Sequence, residues 1–359
     1  MGQRRPRGVL LPAAAALLVL CSSFFGPSHG ANFKCKTAGT TCHALVDYLP
    51  PNATTLSSIE GMFDIENIQT LLGANGLPLS TSPTFKLSAK QPIKIPFPCN
   101  CTVNGAGVSA GTPIYVVQPG DGLYHIAFEV FSNLVTYPEI AAANNIPDPN
   151  NITVGQKLWI PLPCSCDKVG GARVVHYGYV VPGGSSLEGI ASEYGTTEST
   201  LMDVNGIANA SSLQADQVID VPLPACNSSV MSDSLDYPLL VSNGTYVLTA
   251  NNCVKCSCSS SSNWTLQCEP SGLKPSNWSS CPAMQCAGAG SLYLGNTTTS
   301  SCNSTTCAYA GFYSNQTIST TLVSTSTCPS SGNYGSTLEI SWKLSLISMM
   351  GAVLSMYFL

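Results

Sequence analysis

A segment of about fifty residues recurs along the chain, and this repeat limits the available folds more than any other feature. One copy opens at Tyr115 with YVVQPGDGL and ends at Cys164 after QKLWIPLP. A second copy runs over residues 179–226, and a weaker copy over residues 48–99 precedes both. Units of this size bury little apolar surface, so we expect cross-links to stabilise them.

The copy that opens at Tyr115 combines the patterns of two strands and two helices. Tyr115–Val117 is β-branched and aromatic, which favours a short strand, and the Pro-Gly-Asp-Gly run that follows interrupts it. We expect Asp121 to cap the next helix, a second helix near residues 137–144, and a closing strand over residues 158–160. The first helix has one apolar face, which consists of Leu123, Ile126, Ala127 and Val130.

The predicted fold is therefore α+β, with three small βααβ units followed by a segment of different character. The units cover residues 31–101, where the pattern is degenerate, 110–166 and 175–226. Residues 227–329 are rich in Ser, Thr, Asn, Gly and Cys and show no helical period. This composition predicts a cysteine-rich module followed by a Ser/Thr-rich stalk.

The cysteines support a disulfide framework. Of the 17 cysteines, Cys21 lies in the N-terminal apolar segment, which leaves an even number for pairing. The C-x-C pairs could instead ligate a metal, but the 4 histidines lie elsewhere, so we favour structural disulfides and expect no metal. The spacing leaves the pairing open. Six cysteines surround the repeats: Cys35, Cys42, Cys99, Cys101, Cys164 and Cys166.

The N-terminal segment is typical of a secretory signal peptide. Basic residues precede an apolar run over 9–25, and small residues follow it, which predicts a signal peptide over residues 1–30. A membrane-spanning anchor is the alternative, but the apolar run is short for that role.

The C-terminal segment has the order of a GPI-attachment signal. Small residues at 330–332 precede a polar spacer and the apolar tail 344–359. We expect residues 330–359 to be removed, with Ser331 as the attachment residue. The alternative is a single-pass helix, for which this tail is short against the roughly twenty residues needed.

Composition limits the partners. Charged residues are 9% of the chain and the net charge is −5, without a basic stripe, so we expect an uncharged ligand and no nucleic acid. Acceptor triplets for N-glycans are dense and predict a glycosylated surface. They begin at Asn52, Asn100, Asn151, Asn209, Asn227, Asn243, Asn263, Asn277, Asn296, Asn303 and Asn315.

The repeated unit resembles the LysM (lysin motif) domain in the order of its parts. In the second unit, a strand is followed by Pro-Gly-Asp-x-Leu, a helix, Ala-Asn-Asn and a closing strand. Three such units separated by C-x-C pairs look like the ectodomain of plant LysM receptors, and the two processed ends are similar to those of plant LysM GPI-anchored proteins. The resemblance implies a βααβ fold, binding of chitin oligosaccharides or peptidoglycan, and a role in plant innate immunity. It also implies the disulfides Cys35–Cys101, Cys42–Cys166 and Cys99–Cys164.

A sugar-binding groove is expected where two loops meet. In a βααβ unit the first strand ends beside the start of the second, which brings loops 118–123 and 145–154 together. Gly120 and Gly122 would let the backbone approach an N-acetylglucosamine chain closely. We expect the main site in the second unit, because Asn52 and Asn209 place glycan acceptors in the loops of the others, although Asn151 does so here as well. The candidate ligand-binding residues are Pro119, Gly120, Asp121, Gly122, Leu123, Tyr124, His125, Pro147, Asp148, Pro149, Asn150, Asn151, Ile152 and Thr153.

No catalytic site or cofactor is expected. A glycosidase needs two placed carboxylates, and no acidic pair recurs in the repeats. A lipid anchor reaches only the outer leaflet of the plasma membrane, so a receptor role requires a transmembrane partner, which the resemblance identifies as a LysM receptor-like kinase; a ligand-bridged homodimer is a further expectation. A structural cell-wall glycoprotein is the rival interpretation, and the sequence does not separate chitin from peptidoglycan.

Overall fold

The computed structural model describes residues 33–287 and 292–326. The predicted signal peptide, Ser331 and the C-terminal tail lie outside the described residues. Among the residues described, no helix is both long and apolar enough to cross a membrane.

The first unit has the strand–helix–helix–strand order. Thr55 and Asn67 cap its two helices, each by accepting a backbone N–H with its side chain. Strands β1 and β4 pair antiparallel, with Tyr48 opposite Ile93. The elements are β1 (Thr41–Tyr48), β2 (Thr54–Thr55), α1 (Leu56–Met62), α2 (Ile68–Ala74), β3 (Lys86–Leu87) and β4 (Ile93–Cys101), followed by β5 (Gly107–Ser109).

The second unit contains β6 (Ile114–Val116), α3 (Leu123–His125), α4 (Tyr137–Ala143) and β7 (Lys157–Trp159). Both strands lie one residue before their predicted positions. The first helix departs further from expectation, because after one α-helical turn it continues as a π-helix over Ile126–Val130. Phe131 N–H donates to the Ile126 carbonyl at 2.9 Å, five residues back, and the Phe131 ring is fully buried.

The third unit is the most regular. It contains β8 (Val174–Val180), α5 (Leu187–Tyr194), α6 (Glu198–Asn205) and β9 (Val218–Pro224). Ser186 and Thr197 cap the two helices, and both helices end at a glycine in the left-handed region, Gly195 and Gly206.

The first and third units share one sheet. Its strand order is β5-β4-β1-β8-β9, and β1 and β8 pair in parallel through Leu45–Tyr177 and Val46–Gly178. Strands β6 and β7 of the second unit pair antiparallel and form a separate two-stranded sheet. The second unit instead contacts the first through a shared core, in which Phe63 and Phe131 pack edge to face at 5.8 Å.

Disulfides connect the segments around the repeat units. The structure contains Cys35–Cys101, Cys42–Cys166 and Cys99–Cys164, the pairs that the resemblance implies. Both sulfurs of every C-x-C pair therefore form disulfides. In the third pair, Cys256 is bonded to Cys268 and Cys258 to Cys226. Cys253–Cys281 and Cys286–Cys307 complete the pairs in the described residues, and Cys302 is also disulfide-bonded.

The segment after Cys226 is folded throughout its described length, which corrects the predicted stalk. One antiparallel sheet consists of β10 (Tyr246–Thr249), β11 (Val254–Ser257) and β12 (Gln267–Pro270), and another of β13 (Thr297–Ser300), β14 (Asn303–Phe312) and β15 (Ile318–Ser326). Threonine favours strands because it is β-branched. Tyr309 and Ile318 bury their side chains in the module core, so the Ser/Thr-rich strands pack instead of extending.

This C-terminal module docks on the first unit. Tyr246 O–H donates to the Leu77 carbonyl at 2.7 Å, and the Tyr246 ring joins the core of the repeats. The backbones come so close that a Cβ at Gly73 would overlap the Tyr246 carbonyl, and one at Gly76 would overlap that of Gly244.

Candidate functional site

Two loops of the second unit meet at one end of its β6–β7 strand pair, as the βααβ order predicts. Val117 N–H donates to the Gln156 carbonyl at 2.9 Å, and Gly155 N–H donates back to the Val117 carbonyl at 2.9 Å. The first loop starts directly after Val117, and the second loop ends directly before Gly155. The candidate groove lies between them.

Asp121 shapes the first loop instead of capping the helix. The helix cap is Gly122, whereas Asp121 Oδ2 accepts from Gln118 N–H at 2.6 Å and from Tyr115 O–H at 2.8 Å. The Asp121 side chain is only 5% exposed. Burial raises the pKa of Tyr115 above its usual range, and the hydrogen bond and charge of Asp121 raise it further, so the phenol remains a donor. The role of Asp121 is therefore to hold the turn.

The backbone at the tip of the first loop is open. Gly120 has φ +92°, a conformation that side chains other than glycine rarely adopt. A Cβ added at Gly120 or Gly122 would meet no atom within 4 Å. The peptide groups of this loop are therefore not covered by side chains, and Pro119 beside them is also exposed.

The second loop is held by its own polar groups. Asp148 Oδ1 accepts from Asn150 N–H at 3.0 Å and from the Asn150 amide at 3.1 Å, and Asn151 N–H donates to the Asp148 carbonyl at 2.9 Å. Thr153 N–H donates to Gln156 Oε1 at 3.0 Å. In this loop Pro147 is exposed and Pro149 is partly exposed.

One candidate side chain is not available to a ligand. Leu123 is 2% exposed and belongs to the shared core, so its inclusion in the candidate site was wrong. Ile152 packs partly against the same core and keeps part of its surface exposed.

Tyr124 and His125 lie on the outer surface of the first helix. The Tyr124 side chain is 57% exposed. His125 lies between two carboxylates, 3.5 Å from Asp121 and 3.4 Å from Glu129. Sequence reasoning missed Phe128 and Tyr137, whose rings contact Tyr124 at 5.5 and 6.4 Å. The helical spacing of Phe128 from Tyr124 could have identified the first of them.

The corresponding loops of the other units differ. In the first unit, Gly76–Ser80 lines a cleft together with Gly244–Tyr246 of the C-terminal module, so that loop already has a neighbour. In the third unit, Ser186 caps the helix at the position of Gly122, and Asn209 Oδ1 accepts from Ser211 within the second loop.

The glycan acceptors are all accessible. Each of the asparagines that begin an N-x-S/T triplet is exposed, including Asn151 in the second loop of the second unit. Most of them lie in the C-terminal module.

Comparison with known proteins defines the class of protein. The LysM domain family matches residues 115–161 and 179–222, which are the second and third units. A LysM domain-containing GPI-anchored protein 2 of Arabidopsis thaliana is 50% identical over 282 residues, covering 78% of this chain and 79% of its own length. The chitin elicitor-binding protein of Oryza sativa subsp. japonica is 49% identical over 274 residues, covering 76% and 74%. This chain therefore belongs to the plant family of LysM domain-containing GPI-anchored proteins.

A solved structure described as the ectodomain of a receptor like kinase is 25% identical, covers 52% of this chain and 94% of its own, and has a TM-score of 0.43.

Proposed function

We propose that this protein binds chitin oligosaccharides at the outer face of the plasma membrane and acts as a pattern-recognition receptor or co-receptor in plant innate immunity. The observation that carries the proposal is the uncovered backbone at Gly120 and Gly122, in a first loop whose start is joined to the end of the second loop through the hydrogen bonds of Val117. The name of the 49% identical rice relative, a chitin elicitor-binding protein, supports the choice of ligand.

The groove suits a neutral N-acetylglucosamine chain. Amide groups of the sugar need hydrogen-bonding partners, and the bare backbone around Gly120 and Gly122 can supply them. The acetyl methyl groups need apolar contact, which Pro147 and Pro149 offer. Proline also fixes the backbone, so little freedom is lost when the ligand binds.

The second unit is proposed as the main site among three LysM-like units. The equivalent loop of the first unit contacts the C-terminal module, and that of the third carries the glycan acceptor Asn209. Asn151 places an acceptor at the far edge of the proposed groove. We propose that ligand enters from the side of Gly120, away from Asn151.

Calorimetric titration of the purified ectodomain tests the ligand. Chitooctaose should bind, a muropeptide should bind more weakly, and chromatography of the mixture should show intact oligomer. Preference for the muropeptide would transfer the proposal to peptidoglycan, and cleavage of the oligomer would replace binding with catalysis. Absence of affinity for both would favour a structural glycoprotein.

Signalling is proposed to pass through a LysM receptor-like kinase. A glycolipid anchor reaches only the outer leaflet. A long oligomer can occupy two grooves at once, which makes the second binding event intramolecular. Oligomers of about seven or eight sugars should therefore drive association with the kinase, or with a second copy of this chain, whereas trimers should compete. Co-precipitation measures this, and equal activity of trimers would contradict bridging.

The anchor has its own test. A phosphatidylinositol-specific phospholipase should release the protein from intact cells, because the proposed attachment at Ser331 leaves only lipid in the membrane. Retention on the cells, together with a C-terminal tag detected inside them, would support a membrane-spanning tail instead.

A further inference from the structure

Three exposed aromatic side chains form a patch beside the groove of the second unit. Tyr124, Phe128 and Tyr137 are 57%, 45% and 40% exposed. The Tyr124 and Phe128 rings stack nearly parallel, with centroids 5.5 Å apart and an interplanar angle of 10°. Tyr137 packs edge-on against Tyr124 at 6.4 Å. Tyr124 directly follows Leu123, the last residue of the first loop, so the patch begins one residue after that loop.

The patch is specific to the second unit. The helices of the three units start at equivalent residues, so Tyr124 corresponds to Ser57 and Glu188. Phe128 corresponds in the same way to Gly61 and Ser192. All these positions are exposed, and the core therefore does not require an aromatic residue at any of them. Only the unit with the open groove has aromatic rings there.

A polar row lies on the same helix beside the aromatic rings. It consists of His125 and Glu129, whose side chains are 3.4 Å apart, and the buried Asp121 lies 3.5 Å behind His125. An apolar surface next to a line of hydrogen-bonding groups matches a sugar ring, which has an apolar C–H face and a rim of hydroxyl and amide groups. A protein partner that docks through a purely apolar face would not need the polar row.

We propose that Tyr124, Phe128 and Tyr137 form a stacking platform for sugar rings that extend beyond the groove, with the polar row binding their hydroxyl groups. The platform makes the second unit selective for long N-acetylglucosamine oligomers, because only they reach from the groove to the rings. This inference rests on the proposed function and adds a length-dependent subsite to it.

The test compares Phe128→Ser, which introduces the residue of the third unit, with Phe85→Ser. Phe85 is a matched control because it is 44% exposed and lies in the first unit, away from the groove. Calorimetry with chitotriose and chitooctaose should show about tenfold weaker octamer binding for Phe128→Ser. Phe128→Ser should leave trimer binding unchanged. Phe85→Ser should bind both oligomers like the unaltered protein. Phe128→Trp keeps an aromatic ring at this position and should bind the octamer like the unaltered protein.

The outcomes separate the two proposals. If the unaltered protein binds the octamer but Phe128→Ser behaves like Phe85→Ser with both oligomers, the platform is overturned and the groove is not. If Phe128→Ser weakens the trimer and the octamer equally, the rings belong to the groove itself and the length-dependent subsite is overturned. If the unaltered protein binds neither oligomer, the proposed function fails and the platform fails with it.

Discussion

The side chain of Asn144 forms two hydrogen bonds with the backbone of Trp159. Its Nδ2 donates to the Trp159 carbonyl at 2.8 Å, and its Oδ1 accepts from the Trp159 N–H at 2.8 Å. Asn144 follows the second helix and Trp159 ends the closing strand, so one amide fixes the helix to the sheet. The same pair of bonds joins Asn75 to Lys94 in the first unit and Asn205 to Asp220 in the third.

Replacing Asn144 should therefore destabilise the second unit. Asn144→Ala leaves a backbone donor and acceptor without partners and should lower the free energy of unfolding by about 2–3 kcal/mol. Asn144→Asp keeps the acceptor but sets a carboxylate oxygen against the Trp159 carbonyl, so it should also destabilise the unit. Urea denaturation measures both, with Val103→Ala, at an 89% exposed position, as the neutral control. A loss no larger than that of Val103→Ala would show that the amide bonds contribute nothing to stability.

The local elements of each repeat could be predicted from the sequence, because they depend on neighbouring residues. The predicted helix near residues 137–144 is observed as Tyr137–Ala143, and Ile126 is fully buried as expected. The repeated asparagine was visible in the sequence at Asn75, Asn144 and Asn205, but its partner lies 15 residues or more away, beyond the reach of a local pattern.

Long-range pairings could not be predicted. The parallel contact of β1 with β8 joins residues that are distant in sequence, and nothing local indicates that Leu45 faces Tyr177. The role of Asp121 was missed for a related reason. A helix-capping aspartate and a turn-stabilising aspartate occupy almost the same position, and only the reach to the Tyr115 hydroxyl distinguishes them.

The groove can be blocked without disturbing the fold. Gly122 has an ordinary φ and open space around its Cβ position, so Gly122→Trp should fold normally and abolish oligomer binding. The control in the third unit should be Gly183→Trp, which also has open space. Gly184 is unsuitable because its φ of +84° would add backbone strain. Calorimetry and thermal denaturation measure the two effects, and equal losses of binding would contradict the dominance of the second unit.

Asp47 should make stability depend on pH. Its side chain is buried beside the seam between the first and third units, and its Oδ1 has no hydrogen-bond partner. Burial raises its pKa to about 6, against the opposing effects of the Tyr177 hydrogen bond and the charge of Lys94. The folded state thus retains a proton that the unfolded state, with a pKa of 3.8, releases. The contribution of Asp47 to the free energy of unfolding is therefore fully present below pH 3.8, the pKa of the unfolded state, and is lost as the pH rises through about 6.

Asp47→Asn removes this titration. The variant should gain up to about 3 kcal/mol relative to the unaltered protein between pH 4 and pH 7, since each pKa unit corresponds to about 1.4 kcal/mol. Chemical denaturation of both proteins at a series of pH values isolates the contribution from that of other groups. Parallel stability curves across this range would mean that Asp47 is ionised at little cost.

Docking of the C-terminal module can be tested with two helical glycines of the first unit. Gly73 lies in α2, where a Cβ would overlap the Tyr246 carbonyl, whereas Gly61 lies in α1 with no atom within 4 Å of its Cβ position. Alanine favours a helix over glycine by about 0.5–1 kcal/mol, so Gly61→Ala should be neutral or slightly stabilising. Gly73→Ala gains the same propensity but must push β10 away, which breaks the hydrogen bond from Tyr246 to Leu77 and exposes the Tyr246 ring. Hydrogen exchange should then accelerate in residues 244–249 for Gly73→Ala alone, while the repeats, held by their own disulfides, keep their protection. Unchanged exchange in that segment would mean that the module is held to the repeats by contacts other than this interface.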